Sequence, residues 1–207
     1  MLFQLGALHY FSTMSEDTPR PAAGYLSEGT VIRRRSYSPE RTSLGPGSEA
    51  VADVTDDGKT VGLLSAEGRS GMLVATERSQ VQFLEMSPGL FSAEHAHTYG
   101  FIIYTVKGRW VLCSYGRRCV MNPRSIYACR SNVPMGMEVP FEEGAFLLFF
   151  LEGGTEAQRR YEDYMRGVSE GRISHEVTEM VRITDLPSSH PARAFAARVN
   201  PGYLERN

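Results

Sequence analysis

The chain has 207 residues, a formal net charge of −2 and an apolar fraction of 42%. That near-neutral balance lacks the clustered positive charge a phosphate backbone requires; the single basic run, Arg33-Arg34-Arg35, reads as a solvated strand edge. No apolar stretch is long enough to cross a membrane, so neither nucleic acid nor membrane is an expected partner.

The length fits one domain with elaborations. Met1 to Leu8 is apolar but short, with no basic region before it and no small-residue cleavage site after it, so no secretory signal is expected. Met14-Ser15-Glu16-Asp17 reads as an alternative translation start. Residues 1–29 form an irregular arm rich in Pro and Gly. A strand follows at Thr30 to Arg34, then a Ser/Pro/Gly loop over residues 36–48. Short strand signals come next at Ala50 to Val54, Thr60 to Leu64, Gly71 to Thr76 and Gln80 to Met86, with a tight-turn signal at Asp56-Asp57-Gly58-Lys59.

Beyond Ser87-Pro88-Gly89 lies His95-Ala96-His97, in a segment of strand character. Strand side chains alternate between faces, so residues two apart share one side, and two imidazoles about 7 Å apart along a strand can converge on one ion. Phe101 to Val106 and Arg109 to Tyr115 read as strands joined in a hairpin at Lys107-Gly108. Arg118 to Met121 is a short strand. Gly144 to Leu151 is almost continuously apolar and reads as a central strand buried on both faces. Many short strands between turns predict an antiparallel sandwich or barrel.

After Gly154 the texture changes. Thr155 caps a helix through Arg166, a second short helix covers His175 to Met180, and a strand and turn follow at Val181 to Pro187 before an irregular tail. Cys113, Cys119 and Cys129 show no Cys-x-x-Cys pair and read as small buried hydrophobes in a reducing cytoplasm. No nucleophile elbow, phosphate loop, dinucleotide fingerprint or zinc ribbon occurs.

The segment from Gly89 to Gly108 resembles the first signature of the cupin superfamily: Gly, five residues, His-x-His, three or four residues, Glu, six residues, Gly. Gly89, His95, His97 and Gly108 fall in register, and Phe101 stands at the Glu position. The second signature reads Gly, five residues, Pro-x-Gly, two residues, His, three residues, Asn. Its positions hold Arg124, Arg130, Asn132, Met135 and Val139. The resemblance covers about residues 75–152.

The resemblance implies an all-β fold, a cupin-type antiparallel β-barrel or jelly roll, spanning residues 30–152 with an N-terminal strand extension. Residues 153–207 follow as a C-terminal helical cap and tail. It implies a small-molecule enzyme of dioxygenase, isomerase, cyclase or lyase type, or else a non-catalytic barrel that binds a ligand or plays a structural or regulatory part. His95 and His97 are the catalytic and metal-ligating candidates, and Tyr99, Phe101, Ile103 and Met135 line the pocket. The expected cofactor is a divalent transition metal (Fe, Zn, Ni, Mn or Cu). A third ligand would come from Glu94, Tyr99, Glu138, Glu85 or Cys113, and Met135 would suit copper. Without metal, histidine still serves as a general base. Arg124 and Arg130 are candidates for binding a carboxylate. The expected partners are a small molecule and a second copy of the chain in a homodimer.

Overall fold

The computed structural model describes residues 39–56, 60–175 and 179–206. The expected N-terminal arm and the strand at Thr30 to Arg34 lie outside them. The strands run β1 (Thr42–Gly45), β2 (Ser48–Ala50), β3 (Leu63–Ser65), β4 (Gly68–Ala75), β5 (Ser79–Met86) and β6 (Phe91–Ala96). They continue as β7 (Phe101–Lys107), β8 (Trp110–Ser114), β9 (Arg117–Met121), β10 (Ile126–Cys129), β11 (Pro134–Glu138) and β12 (Ala145–Glu152). Helices α1 (Thr155–Ser169), α2 (Pro191–Val199) and α3 (Tyr203–Arg206) follow.

Two antiparallel sheets face each other. One has six strands in the order β10-β7-β12-β5-β4-β3, the other four in the order β6-β11-β8-β9, and β1-β2 stand apart as a hairpin. This is an all-β jelly-roll sandwich. Its core lies where the inner faces meet: Phe101, Ile103, Leu147 and Phe149 from the larger sheet against Trp110, Leu112, Met135 and Met137 from the smaller. Each large apolar side chain contributes about 1.5–3 kcal/mol on burial. Alternation along β7 sends Phe101, Ile103 and Thr105 inward and Ile102 outward, as period-two patterning requires.

The β7–β8 connection differs from the expected hairpin. β7 pairs with β10 and β12, whereas β8 pairs with β11 and β9. Gly108, at φ 72°, turns the chain from one sheet to the other. A Cβ at Gly108 would strike the Gly144 carbonyl, which is why the corner needs glycine. Inside the corner the indole Nε1 of Trp110 donates to Thr105 Oγ1 at 2.9 Å, satisfying two buried polar groups at once. β12 is central as expected, but its outward face is only partly covered and Phe150 is exposed.

The C-terminal segment forms an outer layer. α1 lays Met165 against Val61 and Leu63. Its cap residue is Gly154, with no side-chain capping bond, and Thr155 is already helical. The expected helix over His175 to Met180 falls partly on undescribed residues; His175, Glu179 and Met180 are irregular. In place of a strand at Val181 to Pro187, Arg182 makes one bridge to Leu90 and a single 3-10 turn follows over Ile183–Asp185. The expected irregular tail holds α2 and α3. Ile183, Ala196 and Tyr203 pack with Phe91 on the outer side of the four-stranded sheet.

Candidate functional site

β6 does not alternate regularly. Met135 pairs with His95 and Met137 with Ser92, so the single residue Gly136 faces two residues, Ala93 and Glu94. This is a β-bulge, and the bulged backbone comes so close that a Cβ on Gly136 would meet the Ser92 carbonyl oxygen at 2.7 Å. The bulge resets the phase of β6. Phe91 points out to the helical layer, while the rings of His95 and His97 lie together with centroids 4.7 Å apart.

His95 is half-buried and His97 only 1% exposed. Behind them runs a ladder of rings. His97 meets Phe101 edge-on at 5.2 Å and Tyr99 at 5.6 Å, and Phe101 meets Phe149 at 5.8 Å. Met135, fully buried, is the cross-strand partner of His95. Phe101 and Met135 thus stand beside the imidazoles. Tyr99 forms the flank, and Ile103 is buried one step deeper in the core.

The His95 ring makes one decisive bond. Its Nδ1 lies 2.9 Å from the Ala93 carbonyl oxygen. A carbonyl can only accept, so Nδ1 carries a proton, and in the neutral ring Nε2 has the lone pair. His97 is held through its backbone: its carbonyl accepts from the Asn132 N–H at 2.6 Å. Asn132 has φ 61° and Arg124 has φ 72°. These are the two positions where the second signature reads glycine, the residue that takes a left-handed backbone at no steric cost.

The carboxylates and thiol proposed as a third ligand lie elsewhere. Glu94, next to His95 in sequence, faces the opposite way; its Oε1 accepts from Cys113 Sγ and from the Gly116 N–H, both at 2.8 Å. Burial raises the Glu94 carboxyl, but these bonds outweigh it and hold the group below its ordinary value. Burial and then the Glu94 bond push the Cys113 thiol up to about 12, so it remains a protonated donor. Glu138 is 1% exposed and paired with Arg118 at 2.9 Å. Desolvation lifts its carboxyl above the ordinary value, against the pull of Arg118. Glu85 is paired with Arg69 at 2.9 Å. Of the proposed third ligands, only Tyr99 touches the imidazole pair.

Among the described residues, no group of three or more His, Cys, Asp or Glu side chains could hold a metal ion. Catalytic metals ordinarily use three protein ligands, and here the next two positions offer an arene and a thioether. The donor set does not fit a complete site for Fe, Zn, Ni or Mn. Arg124 and Arg130 are exposed and lie away from the imidazoles, on the β10 side of the other sheet. The buried Glu138–Arg118 pair was not foreseen as a pair; one signal was available, since both positions alternate with inward residues on strands.

No family model matches the chain, and no curated protein matches it. Similar solved structures include the polyketide cyclase RemF from Streptomyces resistomycificus, at 20% identity over 42% of this chain and 65% of that one, with a TM-score of 0.39. A Cupin 2 conserved barrel domain protein from Salinispora arenicola is 17% identical over 56% of this chain and 95% of that one, TM-score 0.42. KdgF from a Halomonas species is 12% identical over 55% and 84%, TM-score 0.38. The two-sheet jelly roll is the fold that the resemblance at Gly89, His95, His97 and Gly108 implied. Among the described residues, no helix is long and apolar enough to cross a membrane.

Proposed function

We propose that this chain is a cupin-type small-molecule enzyme of isomerase, cyclase or lyase type in which His95 is the reactive group. The observation that carries the reading is the Nδ1–Ala93 bond. It fixes the tautomer and orients Nε2, the nitrogen that takes a proton from a substrate. His97 backs the ring, and Tyr99, Phe101 and Met135 supply the apolar wall that excludes water. In this reading the lone pair does proton transfer and requires no three-ligand metal. The three free thiols fit a reducing cytoplasm.

The rival reading is a non-catalytic barrel that binds a ligand. Phe101 and Met135, filling positions that hold ligands in the full cupin signature, favour it.

The test is proton exchange from a panel of small carbonyl acids in heavy water, followed by proton NMR, with the metal content of the purified protein measured beside it. Exchange that persists in chelator and falls at least a hundredfold in His95→Ala supports the base. Exchange lost in chelator and restored by one metal overturns the metal-free mechanism. Panel members that bind but never exchange favour the non-catalytic barrel.

A further inference from the structure

A row of side chains runs across the four-stranded sheet at the level of His95. Met135 pairs with His95, the register of β11 on β8 sets Ser114 beside Met135, and Arg117 pairs with Ser114. Paired residues share a face, so all four stand on the interior side. The opposite sheet adds one polar group at this level. Tyr127 pairs with the buried Ile103, which turns its ring inward against the core. Its hydroxyl bonds with the side chains of Ser114 and Cys129. The inner face of a sandwich is ordinarily closed, yet His95, Ser114 and Tyr127 are half-buried and Arg117 is exposed. Solvent therefore reaches the inner side along this row, with the fully buried Met135 as its floor.

We infer that, with His95 as the base proposed above, Tyr127 donates to the carbonyl oxygen of the substrate and Arg117 holds its carboxylate, the substrate being a γ-keto acid whose ketone stands between the carboxylate and the carbon that His95 deprotonates. The spacing of the row points to that order. A base on a C–H and a donor on the neighbouring carbonyl oxygen stand about 8 Å apart, two hydrogen-bond lengths and the C–C–O unit between them. Neighbouring strands lie about 4.8 Å apart, which places Ser114, where the Tyr127 hydroxyl rests, about 10 Å along the row from His95. Arg117 is one strand further, about 5 Å, which matches the two carbons between ketone and carboxylate. Its guanidinium suits a carboxylate through two parallel bonds. Among the described residues Arg117 makes no ion pair.

The hydrogens of the cluster agree. Ser114 Oγ donates to the Pro134 carbonyl at 2.7 Å, and Cys129 Sγ donates to the Arg130 and Val133 carbonyls at 3.5 and 3.8 Å. The phenolic hydrogen has side-chain neighbours instead and can turn to a ligand. Burial first, and then Cys129, push the phenol up to about 12, so it stays a donor at neutral pH. In the step itself His95 Nε2 takes the proton and the C–H pair becomes a carbon–carbon double bond. The carbonyl pair moves onto oxygen, where the Tyr127 O–H meets it. Return of a deuteron from the ring, once the ring has exchanged with heavy water, reverses the step.

Levulinate in heavy water, with the full chain and chelator, tests this by proton NMR. Deuterium should enter the methyl group and spare the methylene between ketone and carboxylate. Tyr127→Phe keeps the ring and should lower kcat about a hundredfold with KM changed less than about threefold, as for a donor used in the transition state. Arg117→Gln should raise KM for levulinate roughly tenfold or more and leave exchange of methyl propyl ketone, which lacks the carboxylate, as in wild type. The infrared band of bound levulinate, isotope-labelled at the ketone carbon, should lie lower in wild type and His95→Ala than in Tyr127→Phe, because a donor weakens the C=O bond. A Tyr127-dependent band with exchange indifferent to His95→Ala supports the donor and overturns the base. A band unchanged by Tyr127→Phe overturns the donor even where His95→Ala abolishes exchange. Exchange that favours the methylene, or no binding at about 10 mM levulinate, overturns the placement of the acid.

Discussion

The two faces of the four-stranded sheet carry the same kinds of side chain to opposite ends. Its inner face holds His95, His97 and Met135 among aromatic rings. Its outer face, under α2 and α3, holds Glu94, Cys113, Glu138 and Arg118, bonded to one another. All are chemistry-bearing groups, and several are neighbours in sequence. One layer of backbone keeps the imidazoles from the carboxylates. Proximity along a chain therefore says little about which donors share a site until the phase of each strand is known.

The largest test of this division is on the outer face. Removing the carboxyl in Glu138→Ala leaves Arg118 enclosed without its counter-charge and should cost about 3–5 kcal/mol in urea unfolding. Arg118→Met added to it should recover part of the loss. If Glu138→Ala unfolds within about 1 kcal/mol of wild type, the outer pair is not the closed arrangement described.

A second test moves a carboxylate across the sheet. Phe101→Glu with Met135→His puts four conventional donors on the inner side. The metal-free variant should lose a few kcal/mol from enclosing polar groups among rings. Added Zn or Ni should restore it and raise its melting temperature, since a ligand that binds only the folded state stabilises it. Calorimetric titration of variant and wild type checks this; equal affinities would mean that the four positions do not converge.

The smallest effect is at the rim. The side-chain bond from Arg109, 2.7 Å away, holds the Glu143 carboxyl below its ordinary value. The native state thus binds that proton more weakly than the unfolded chain, so the pair stabilises above pH about 4.5 and the gain is lost as pH falls through the folded value. Solvent screening reduces it to a few tenths of a kcal/mol. Glu143→Gln, which leaves Arg109 over the Phe141 ring, should be less stable than wild type by that amount at neutral pH and close to it near pH 3, as read by unfolding at both.

Much of this was legible in the sequence, from period two for the histidines, from the register of the two signatures for Phe101 and Met135, and from an unbroken apolar run for β12. His95 and His97 share a face, Phe101 and Met135 stand beside them, and β12 is central. What stayed hidden depends on longer-range facts. Gly108 reads as a hairpin turn because turn chemistry is local, whereas the sheet that receives β8 depends on its pairing with β9 and with β11, which comes some twenty residues later in the chain. α2 was missed although His190-Pro191 followed by alanines and arginines is a good helix start; its His190 ring accepts from the Ala192 N–H at 3.2 Å. The bulge in β6 has no composition signal of its own. Only its partner's missing Cβ, at Gly136, marks it.

That bulge acts as a phase shifter in a strand of six residues. Ahead of it, β6 is geared to the helical layer through Phe91; after it, the same strand is geared to the interior through His95. Deleting one of the two bulged residues would mesh the halves in a single phase. One end would then have to present the wrong side, and either Phe91 would leave the helices or the imidazoles would turn toward solvent. The helical layer and the histidine pair are in this sense one inheritance, held on a common strand by a single residue's worth of slack.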